Sequence, residues 1–463
     1  ARPWSAWTSL TSKNFSRPGP NNAMARRKRR EPETATITGV THDGRGIADA
    51  EGKKAFVAGA LEGETVTFVR RKSHRNFDEA ELLEIHTASP DRIEARCAAY
   101  DRCGGCSLQH VSVEQQRHIK EQTLRDNLER IGRVQPATWL QPMTGPDWHY
   151  RRRARLAAKD VRAKGRTLVG FRERHAPFIA DMQRCEVLAK PVDGLIADLS
   201  ELVGSLTIRA RLPQIEVAVA ENDVALVFRV LDPPTPEDET AFRNFAASHG
   251  LRIYLQPGGL DSIRLLHPQS IGEPLFYTLP EFDIRVDFEP VDFIQINAEI
   301  NRRMVHFAVE QLDVEPDHDV LDLFCGIGNF SLPLARRAGS VLGVEGEATL
   351  TTRATANAER NGLDNVAFRV ADLNKVDGSE GWVRQGWDRM LLDPARSGAA
   401  EVVTRMHLFG PKRVVYVSCH PGTLARDAGT LVNEQGYRLD AAGIIDMFPH
   451  TAHVESIAVF TKS

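Results

Sequence analysis

The stretch HDVLDLFCGIGNFSLPLARRAGSVLGVEGE (His318–Glu347) decides the fold of the C-terminal part of this chain. Its apolar start predicts a buried strand that ends at Asp322, followed by a glycine loop that contains Gly326 and Gly328. A helix then leads to a second strand, which ends at Glu345. Glycines let the backbone approach a ligand, and a carboxylate about 20 residues further on can accept hydrogen bonds from ribose hydroxyls. This spacing predicts a nucleoside-binding site.

The kind of nucleoside follows from what the stretch lacks. A dinucleotide fingerprint needs a third glycine, but position 331 is Ser, and the stretch has no Lys-Ser or Lys-Thr pair to hold phosphates. A nucleoside without phosphates, such as S-adenosylmethionine, fits better. Asp372 follows the next predicted strand, VAFRV, at a place where its carboxylate could accept a hydrogen bond from the adenine amine.

Strand and helix patterns alternate over residues 292–463, which predicts a doubly wound, Rossmann-like α/β methyltransferase domain. Hairpin patterns dominate residues 89–291, and we expect a β-rich central domain there. Residues 32–88 contain short strands and glycine turns, and their GRGIA turn and GETVTFV strand resemble the TRAM domain, an OB-like RNA-binding barrel. We expect residues 1–31 to be a disordered basic leader, with Met24 as the natural start.

Composition limits the class of protein. Of 463 residues, 42% are hydrophobic and 26% are charged, as in globular proteins, and no apolar run reaches the roughly 20 residues that span a bilayer. The N-terminal stretch has no signal-peptide pattern. We expect a cytoplasmic protein without a membrane partner, and a monomer.

Charge is distributed unevenly along the chain. The net charge is −3, but residues 1–190 carry +12 (35 Lys and Arg, 23 Asp and Glu), and the rest of the chain carries −15. A basic half predicts a polyanionic partner such as RNA. Within this half, HYRRRARLAAKDVRAKGR (residues 149–166) alternates like a strand, and we expect it to project several arginines from one face.

A cysteine and an aspartate end two neighbouring strands. VVYVSCHPGTLARD (residues 414–427) places Cys419 after one strand, and RMLLDPARSG (residues 389–398) places Asp393 after another. Ligands of doubly wound sheets bind at the carboxyl ends of the parallel strands, so both side chains are expected beside the cofactor. A thiolate there suits pyrimidine methylation. It adds to carbon 6, carbon 5 then attacks the methyl sulfonium, and a base removes the carbon-5 proton.

The last segment, MFPHTAHVESIAVFTKS (residues 447–463), supplies candidates for that base. If its strand runs antiparallel to its neighbours, the start of the strand returns to the cofactor edge. Glu455 lies near this start and shares a strand face with apolar side chains, so burial would raise its pKa. His450 and His453 are the rival bases.

Four further cysteines, Cys97, Cys103, Cys106 and Cys185, form a C-x5-C-x2-C set with one distant member. Four thiolates select an iron–sulfur cluster or zinc, and disulfides are the weakest interpretation for a cytosolic chain. The x5 spacing is unusual for zinc ribbons, whose ligands come as two close pairs. Cys325, inside the glycine loop, is expected to contact the cofactor through its backbone.

Four motifs together resemble the family of RNA uracil-C5-methyltransferases: LDLFCGIGNFSLPLA, LLDPARSGA, YVSCHPGTLARD and FPHTAHVES. The resemblance implies that Cys419 is the nucleophile, that Glu455 is the base, and that Asp393 lies between S-adenosylmethionine and the uracil. It also implies a [4Fe-4S] cluster on the four cysteines. The implied cofactor contacts are Gln295, Phe324, Asn329, Glu345, Asp372 and Asp393, to which the loop itself adds Gly326 and Gly328.

The resemblance covers nearly the whole chain and indicates which class of RNA is the expected substrate. Transfer RNA enzymes of this family generally lack both the TRAM-like segment and the four cysteines, and a related ribosomal enzyme has the cysteines only. This chain has both, so it most resembles the subfamily that methylates uracil 1939 of 23S ribosomal RNA, with that uracil single-stranded or flipped out. Cytosine methyltransferases carry a cysteine after the earlier strand, where Asp393 and Pro394 stand here. A non-catalytic RNA-binding or ribosome-assembly protein is the alternative from another class.

Overall fold

The computed structural model describes residues 31–463 except residues 42, 51 and 175. The predicted basic leader and Met24 lie outside the described residues, apart from Glu31. Contacts divide the chain into two compact units. The described part of the first unit consists of residues 31–41 and 45–90, and the second unit contains residues 91–463. Among the described residues, no helix is both long and apolar enough to cross a membrane.

The first unit is a closed barrel of five strands, as the glycine-punctuated sequence predicts. Its strands are β1 (Glu33–Val40), β2 (Arg45–Ala50), β3 (Lys53–Ala58), β4 (Thr65–Ser73) and β5 (Phe77–Thr87), in the order β1-β2-β3-β5-β4. Alternate residues point inward and form a small apolar core that includes Ile37 and Phe68. The buried Arg70 joins β4 to β1 and β5 through ion pairs with Glu33 and Asp78.

The second unit begins with a mixed central segment. Its elements are α1 (Val113–Asn127), β6 (Thr138–Trp139), β7 (Arg153–Val161), β8 (Arg166–Gly170), α2 (Ile196–Ser205), β9 (Gln214–Val219), β10 (Val224–Arg229), α3 (Pro236–His249), β11 (Arg252–Gln256), β12 (Arg264–His267), β13 (Leu275–Leu279) and β14 (Ile284–Phe288). Six strands form a sheet in the order β12-β11-β10-β9-β7-β8, and β13 pairs with β14. A capping box in which Thr235 and Asp238 exchange hydrogen bonds explains why α3 begins at Pro236.

The C-terminal residues form the doubly wound sheet that the alternating pattern predicts. Their elements are α4 (Ala298–Leu312), β15 (Asp319–Leu323), α5 (Ser331–Ala335), β16 (Ser340–Glu345), α6 (Ala348–Arg360), β17 (Val366–Val370), β18 (Arg389–Leu392), α7 (Ala400–Thr404), α8 (Met406–Phe409), β19 (Arg413–Ser418), α9 (Pro421–Asn433), β20 (Tyr437–Ile445) and β21 (Glu455–Lys462). The strand order is β17-β16-β15-β18-β19-β21-β20-β6. The first five strands are parallel, and β21 runs antiparallel between β19 and β20, as expected for the last segment. Strands β15 and β19 are buried along nearly their whole length, which is typical of a sheet covered on both faces.

One hydrophobic core joins the central segment to the C-terminal segment. It includes Leu156 and Phe228 of the six-stranded sheet, and Met304 and Val459 of the C-terminal segment. The short strand β6 extends the C-terminal sheet by pairing with β20, and α1 packs against α9. The predicted boundary at residue 291 crosses this core, so the division into separate domains stays a prediction.

Candidate active site

The first wall of the candidate site is the loop between β15 and α5. Its backbone turns sharply at Phe324, whose φ is 67°, and at Gly326 and Gly328, whose φ values are 55° and 95°. Positive φ favours glycine, and Phe324 is held in this conformation by a hydrogen bond from its N–H to the Val344 carbonyl. The Gly326 N–H donates to the Glu345 carboxylate over 3.1 Å, which ties the loop to the end of β16.

Two carboxylates lie at this edge of the sheet. Glu345 also accepts a hydrogen bond from the Gly346 N–H over 2.7 Å, and its oxygens keep lone pairs for a ribose hydroxyl. Asp372 follows β17 and is partly exposed. Its carboxylate binds the Lys375 ammonium at 2.9 Å and accepts from Asn374, and these contacts lower its pKa to about 2. The residues predicted to contact ribose and adenine therefore follow neighbouring strands.

A second wall contains Gln295 and Asn329, which the sequence predicts as cofactor contacts, and side chains around them that the sequence did not reveal. Asn329 exchanges hydrogen bonds with Asn301 of α4 and accepts another from the Tyr277 hydroxyl over 2.8 Å. The Arg152 guanidinium lies 4.6 Å from the centre of the Tyr277 ring, and its Nε donates to the Gln295 carbonyl over 2.7 Å. Arg152 thereby connects Gln295 and Asn329, the two predicted cofactor contacts that flank it.

This arrangement corrects the expected role of the basic stretch at residues 149–166. Part of it forms β7, as predicted, but Arg152 is only 4% exposed, and burial lowers its pKa to about 10. Arg153 is largely enclosed and pairs with Glu216, whereas Arg155 is exposed. Some arginines of this stretch therefore face the interior and others face solvent. The alternating charge pattern in the sequence did not show which arginines are buried and which are exposed.

Three titratable side chains meet beside the glycine loop. Asp393 follows β18, Cys419 follows β19, and Glu455 opens β21, which is the neighbour of β19 in the sheet. The Asp393 N–H donates to the Leu323 carbonyl at the end of β15. The charges of Glu455 and Asp393 both act on the Cys419 thiol. The structure thus brings together the three residues that the sequence singles out as reactive.

Burial dominates the electrostatics of this reactive pocket. It raises the pKa of Asp393 to about 7 and, together with the nearby Asp393 charge, holds the pKa of Glu455 well above its usual value. Burial and the two carboxylates raise the pKa of the Cys419 thiol to about 11. Arg396 acts in the opposite direction on Cys419 and Glu455. The pocket therefore favours the protonated form of its acidic groups. Raised pKa values of this kind are typical of sites that take up and release protons.

Known proteins match nearly the whole chain. The family described as tRNA (Uracil-5-)-methyltransferase matches residues 277–463. The 23S rRNA (uracil(1939)-C(5))-methyltransferase RlmD of Alkalilimnicola ehrlichii is 51% identical over 95% of this chain and 99% of its own length, and that of Methylococcus capsulatus is 50% identical over 93% and 97%. The chain belongs to the RNA uracil-C5-methyltransferase family.

A solved structure shares the fold of this uracil-C5-methyltransferase. The Pyrococcus abyssi tRNA (uracil-54, C5)-methyltransferase, in complex with S-adenosyl-L-homocysteine, superposes with a TM-score of 0.71 at 24% identity, over 93% of this chain and 100% of that one. The predicted family and the predicted S-adenosylmethionine-dependent methyltransferase fold are both confirmed.

The two histidines that rival Glu455 lie in the loop just before it. His450 is buried, its ring stacks on Trp148 at 3.8 Å, and burial lowers its pKa to about 4. Arg396 Nη2 lies 2.9 Å from Nδ1 of His453. Burial lowers the pKa of His453, and the positive charge of Arg396 lowers it further. His450 is engaged in packing within this methyltransferase, whereas His453 lies beside the reactive pocket and stays a rival base.

The four remaining cysteines of this methyltransferase line one cavity, next to Arg151. Their sulfurs are free of disulfides. The sulfur of Cys103 accepts a hydrogen bond from the Gly105 N–H over 3.4 Å. Burial raises the pKa of Cys106 to about 11 and that of Cys185 to about 12. The structure therefore gathers the distant Cys185 with the three cysteines that lie close together in sequence.

The donor set limits the groups that this cavity could hold. Four thiolates are the ligand set of a zinc ion or of an iron–sulfur cluster. Among the described residues, one further group, Glu315, Asp317 and His318, brings three ligand atoms within 4.8 Å of one another, and it is formed by carboxylates and a histidine.

Proposed function

We propose that this protein transfers a methyl group from S-adenosylmethionine to carbon 5 of uracil 1939 in 23S ribosomal RNA. The observation that carries the proposal is the reactive pocket, where Asp393, Cys419 and Glu455 meet beside the glycine loop. Relatives that match nearly the whole chain at 50–51% identity are named for this reaction. The same pocket argues against a non-catalytic role. Buried titratable groups cost stability, so a group of three at one place indicates that function requires them.

The cofactor is proposed to lie along both walls of the pocket. Glu345 and Asp372 would accept hydrogen bonds from the ribose hydroxyls and the adenine amine, respectively. Gln295 and Asn329 would hold the methionine part, and the positive φ values at Phe324, Gly326 and Gly328 would let the loop backbone approach the ligand.

Cys419 is the proposed nucleophile. Its thiolate sulfur adds to carbon 6 of the uracil, and the electron pair of the carbon 5–carbon 6 double bond moves to form an enolate, which makes carbon 5 nucleophilic. S-adenosylmethionine supplies the methyl group as a sulfonium, and transfer to carbon 5 leaves S-adenosylhomocysteine. Asp393 follows β18, which lies between the strand of the glycine loop and the strand of Cys419. We assign it the task of orienting the uracil against the methyl group.

Glu455 is the proposed base that completes the reaction. After methyl transfer, carbon 5 carries both the new methyl group and a proton. The Glu455 carboxylate takes that proton, the carbon 5–carbon 6 double bond forms again, and the sulfur leaves as the Cys419 thiolate. Because burial raises the pKa of Glu455, this carboxylate is a stronger base than an exposed one.

The resting protonation of the pocket implies an order of events. Burial raises the pKa of both Cys419 and Glu455 and so disfavours the charged form that each group uses in the reaction. Arg396 opposes this effect on both groups. The positive sulfonium of S-adenosylmethionine would lower both pKa values further. We therefore expect the reactive thiolate to form mainly after the cofactor is bound.

The barrel and the four cysteines complete the proposal. We assign the five-stranded barrel as a TRAM domain that binds RNA, and the four cysteines as ligands of a [4Fe-4S] cluster. The all-thiol donor set, the nearby Arg151 and the N–H of Gly105 suit an anionic cluster. Protein purified without oxygen should be brown. A colourless preparation with one zinc ion per chain would contradict the cluster.

The Cys419→Ala variant tests the catalytic proposal. Methyl transfer to a 23S rRNA fragment should fall by more than about a thousandfold, because the variant has no nucleophile. The affinity for S-adenosylmethionine should stay within about twofold, since other strands carry its proposed contacts. Tritium transfer from labelled S-adenosylmethionine and isothermal titration calorimetry measure the two quantities. Unchanged turnover would overturn the proposal.

The identity of the methylated uracil needs a separate measurement. Mapping of 5-methyluridine in ribosomal and transfer RNA from a strain that lacks this gene should show loss of the modification at 23S uracil 1939 alone. Loss of 5-methyluridine from transfer RNA instead would be consistent with the proposed chemistry but would show that transfer RNA is the substrate.

A further inference from the structure

The loop between β20 and β21, residues 446–454, leads directly into Glu455, and we call it the base loop. Its central residue, His450, has a φ of 64°, which residues with a Cβ rarely adopt. The His450 N–H donates to Oε1 of Gln116 over 2.8 Å, Nε2 of Gln116 lies 3.3 Å from Nδ1 of His450, and the ring stacks on Trp148. The conformation of the base loop is therefore imposed by contacts from elsewhere in the chain, against the local preference of the backbone.

The cysteine segment, residues 97–110, supplies the next set of contacts. The backbone N–H groups of Ser107 and Leu108 both donate to the His450 carbonyl, over 2.9 and 3.0 Å. In return, the Ala452 N–H donates to the Ser107 hydroxyl over 3.0 Å. The chain that carries three of the four clustered cysteines is thus joined by three hydrogen bonds to the loop before Glu455.

Helix α1 holds the start of the base loop. The buried Lys120 donates to the Asp446 carboxylate over 2.6 Å and to the Phe448 carbonyl over 2.9 Å. Arg117 adds a hydrogen bond to the other Asp446 oxygen over 3.1 Å. Because an unpaired buried charge is costly, Lys120 and Asp446 fix each other in place. Contacts from α1 and from the cysteine segment therefore cover both the start and the middle of the loop.

We propose that the cysteine segment and α1 position Glu455 for the step that releases the enzyme from the methylated uracil. The inference rests on the proposed role of Glu455 as the base. Glu455 is the first residue of β21, and it lies opposite Ile445 of β20, whereas the register with β19 begins only at Ser456 opposite Ser418. The base loop links the two members of the pair Ile445–Glu455. The direction of the Glu455 side chain therefore depends on this single pairing and on the conformation of the base loop.

This placement predicts which step changes when the base loop is loosened. Removal of the carbon-5 proton should slow, since it needs the Glu455 carboxylate at a fixed place. Addition of the Cys419 sulfur and binding of S-adenosylmethionine should not change, because Cys419 and Glu345 follow other strands. In this account the segment that carries three of the four cysteines serves the reaction by fixing the backbone of the base loop, without electron transfer.

The Gln116→Leu variant tests the inference, with Gln115→Leu as its matched control. Gln115 is the neighbouring residue of α1, and its side chain makes none of the base-loop contacts. With 23S rRNA fragment and S-adenosylmethionine, Gln116→Leu should accumulate the covalent enzyme–RNA adduct on denaturing gels, and its release rate should fall at least tenfold. Its adduct formation rate and cofactor affinity should stay within twofold of the wild type. Gln115→Leu should resemble the wild type throughout.

A second pair of variants separates positioning from loss of folding. Gln116→Glu keeps the oxygen that accepts from the His450 N–H but loses the donation to the Val111 carbonyl and buries a carboxylate, so part of the release rate should return. Ser107→Ala removes only the bond to Ala452, and hydrogen exchange of amides in residues 446–454 should quicken while the content of the cluster, read by its absorbance, stays constant. Release at the wild-type rate in Gln116→Leu, or an equal loss of adduct formation and release, overturns the inference. A wild type that forms no adduct and no 5-methyluridine overturns the proposed function instead.

Discussion

The two halves of the ligand-binding edge of the sheet carry similar residues in different surroundings. In the cofactor half, at the ends of β16 and β17, Glu345 accepts from the Gly326 N–H, and Asp372 binds the Lys375 ammonium. In the reactive half, burial raises the pKa of Asp393 and Glu455, and no hydrogen bond from the described residues offsets that effect. In the first half, contacts lower the pKa of Asp372, whereas in the second half burial raises the pKa values of Asp393 and Glu455.

This difference matches the tasks that we propose for the two halves. Fixed acceptors recognise hydroxyl and amine donors without changing their own state. A proton-transfer site needs groups whose charge changes during the reaction, so it needs shifted pKa values. In both halves the sequence shows an acidic residue at or near a strand end. Only the surroundings distinguish a binding carboxylate from a reacting one.

Among the variants that compare the two halves, the largest effect is expected from Glu455→Gln in the reactive half. Loss of the base should lower turnover by about 10²- to 10⁴-fold, the usual contribution of a positioned proton acceptor. The covalent adduct with RNA should still form and should persist on denaturing gels. Glu359→Gln, at an exposed position of α6, is the matched control and should turn over normally. Failure of Glu455→Gln to form any adduct would remove Glu455 from the role of base.

Local sequence patterns predicted much of this edge. The glycine loop and the strand that ends at Glu345 were predicted from spacing and alternation, because each depends on residues close together in the chain. The last strand was predicted too, but its antiparallel direction was only a condition for placing Glu455 at this edge, and the structure meets that condition. The grouping of Asp393 with Cys419 followed from the rule that parallel strands present their carboxyl ends at one edge. The five-stranded barrel followed from its glycine turns.

Contacts between distant segments could not be predicted in this way. Arg152 and Tyr277 belong to the central segment and form hydrogen bonds with Gln295 and Asn329, respectively. The sequence around Arg152 and Tyr277 has no pattern that distinguishes a buried residue from one that faces RNA. Strand β6 has only two residues, too few for any periodicity, and yet it extends the main sheet. The pKa values depend on burial and on neighbours, which become known only when these segments are placed.

A smaller effect is expected from Asp393→Asn, which tests the reactive half through stability. The native pKa of Asp393 is raised to about 7, so the native state keeps a proton that the unfolded state has released. The contribution of Asp393 to the stability of the wild type should therefore fall as pH rises from about 4 to about 7. Asparagine removes this penalty, and the variant should gain about 1–4 kcal/mol over the wild type at pH 8 but little near pH 4.

Thermal unfolding at the two pH values measures this gain. Asp364→Asn makes the same substitution at an exposed loop position and is the matched control. An Asp393→Asn variant that differs from the wild type by the same amount at both pH values would mean that burial does not retain a proton on Asp393. The two halves of the edge would then be electrostatically alike.

The smallest effect is expected from Asp372→Ala in the cofactor half, and its pH dependence should have the opposite sign. The ion pair with Lys375 lowers the pKa of Asp372 to about 2, so its contribution to stability is present at pH 7 and is lost as pH falls from about 4 toward 2. That contribution should be below about 1 kcal/mol, since exposed ion pairs are weak. The affinity for S-adenosylmethionine should fall about 3- to 10-fold, the value of one hydrogen bond. Calorimetric titration with the cofactor and unfolding at pH 7 and pH 3 measure both changes. A loss of affinity beyond a hundredfold would show that this half also relies on a buried charge, whereas an unchanged affinity would remove Asp372 from the cofactor site.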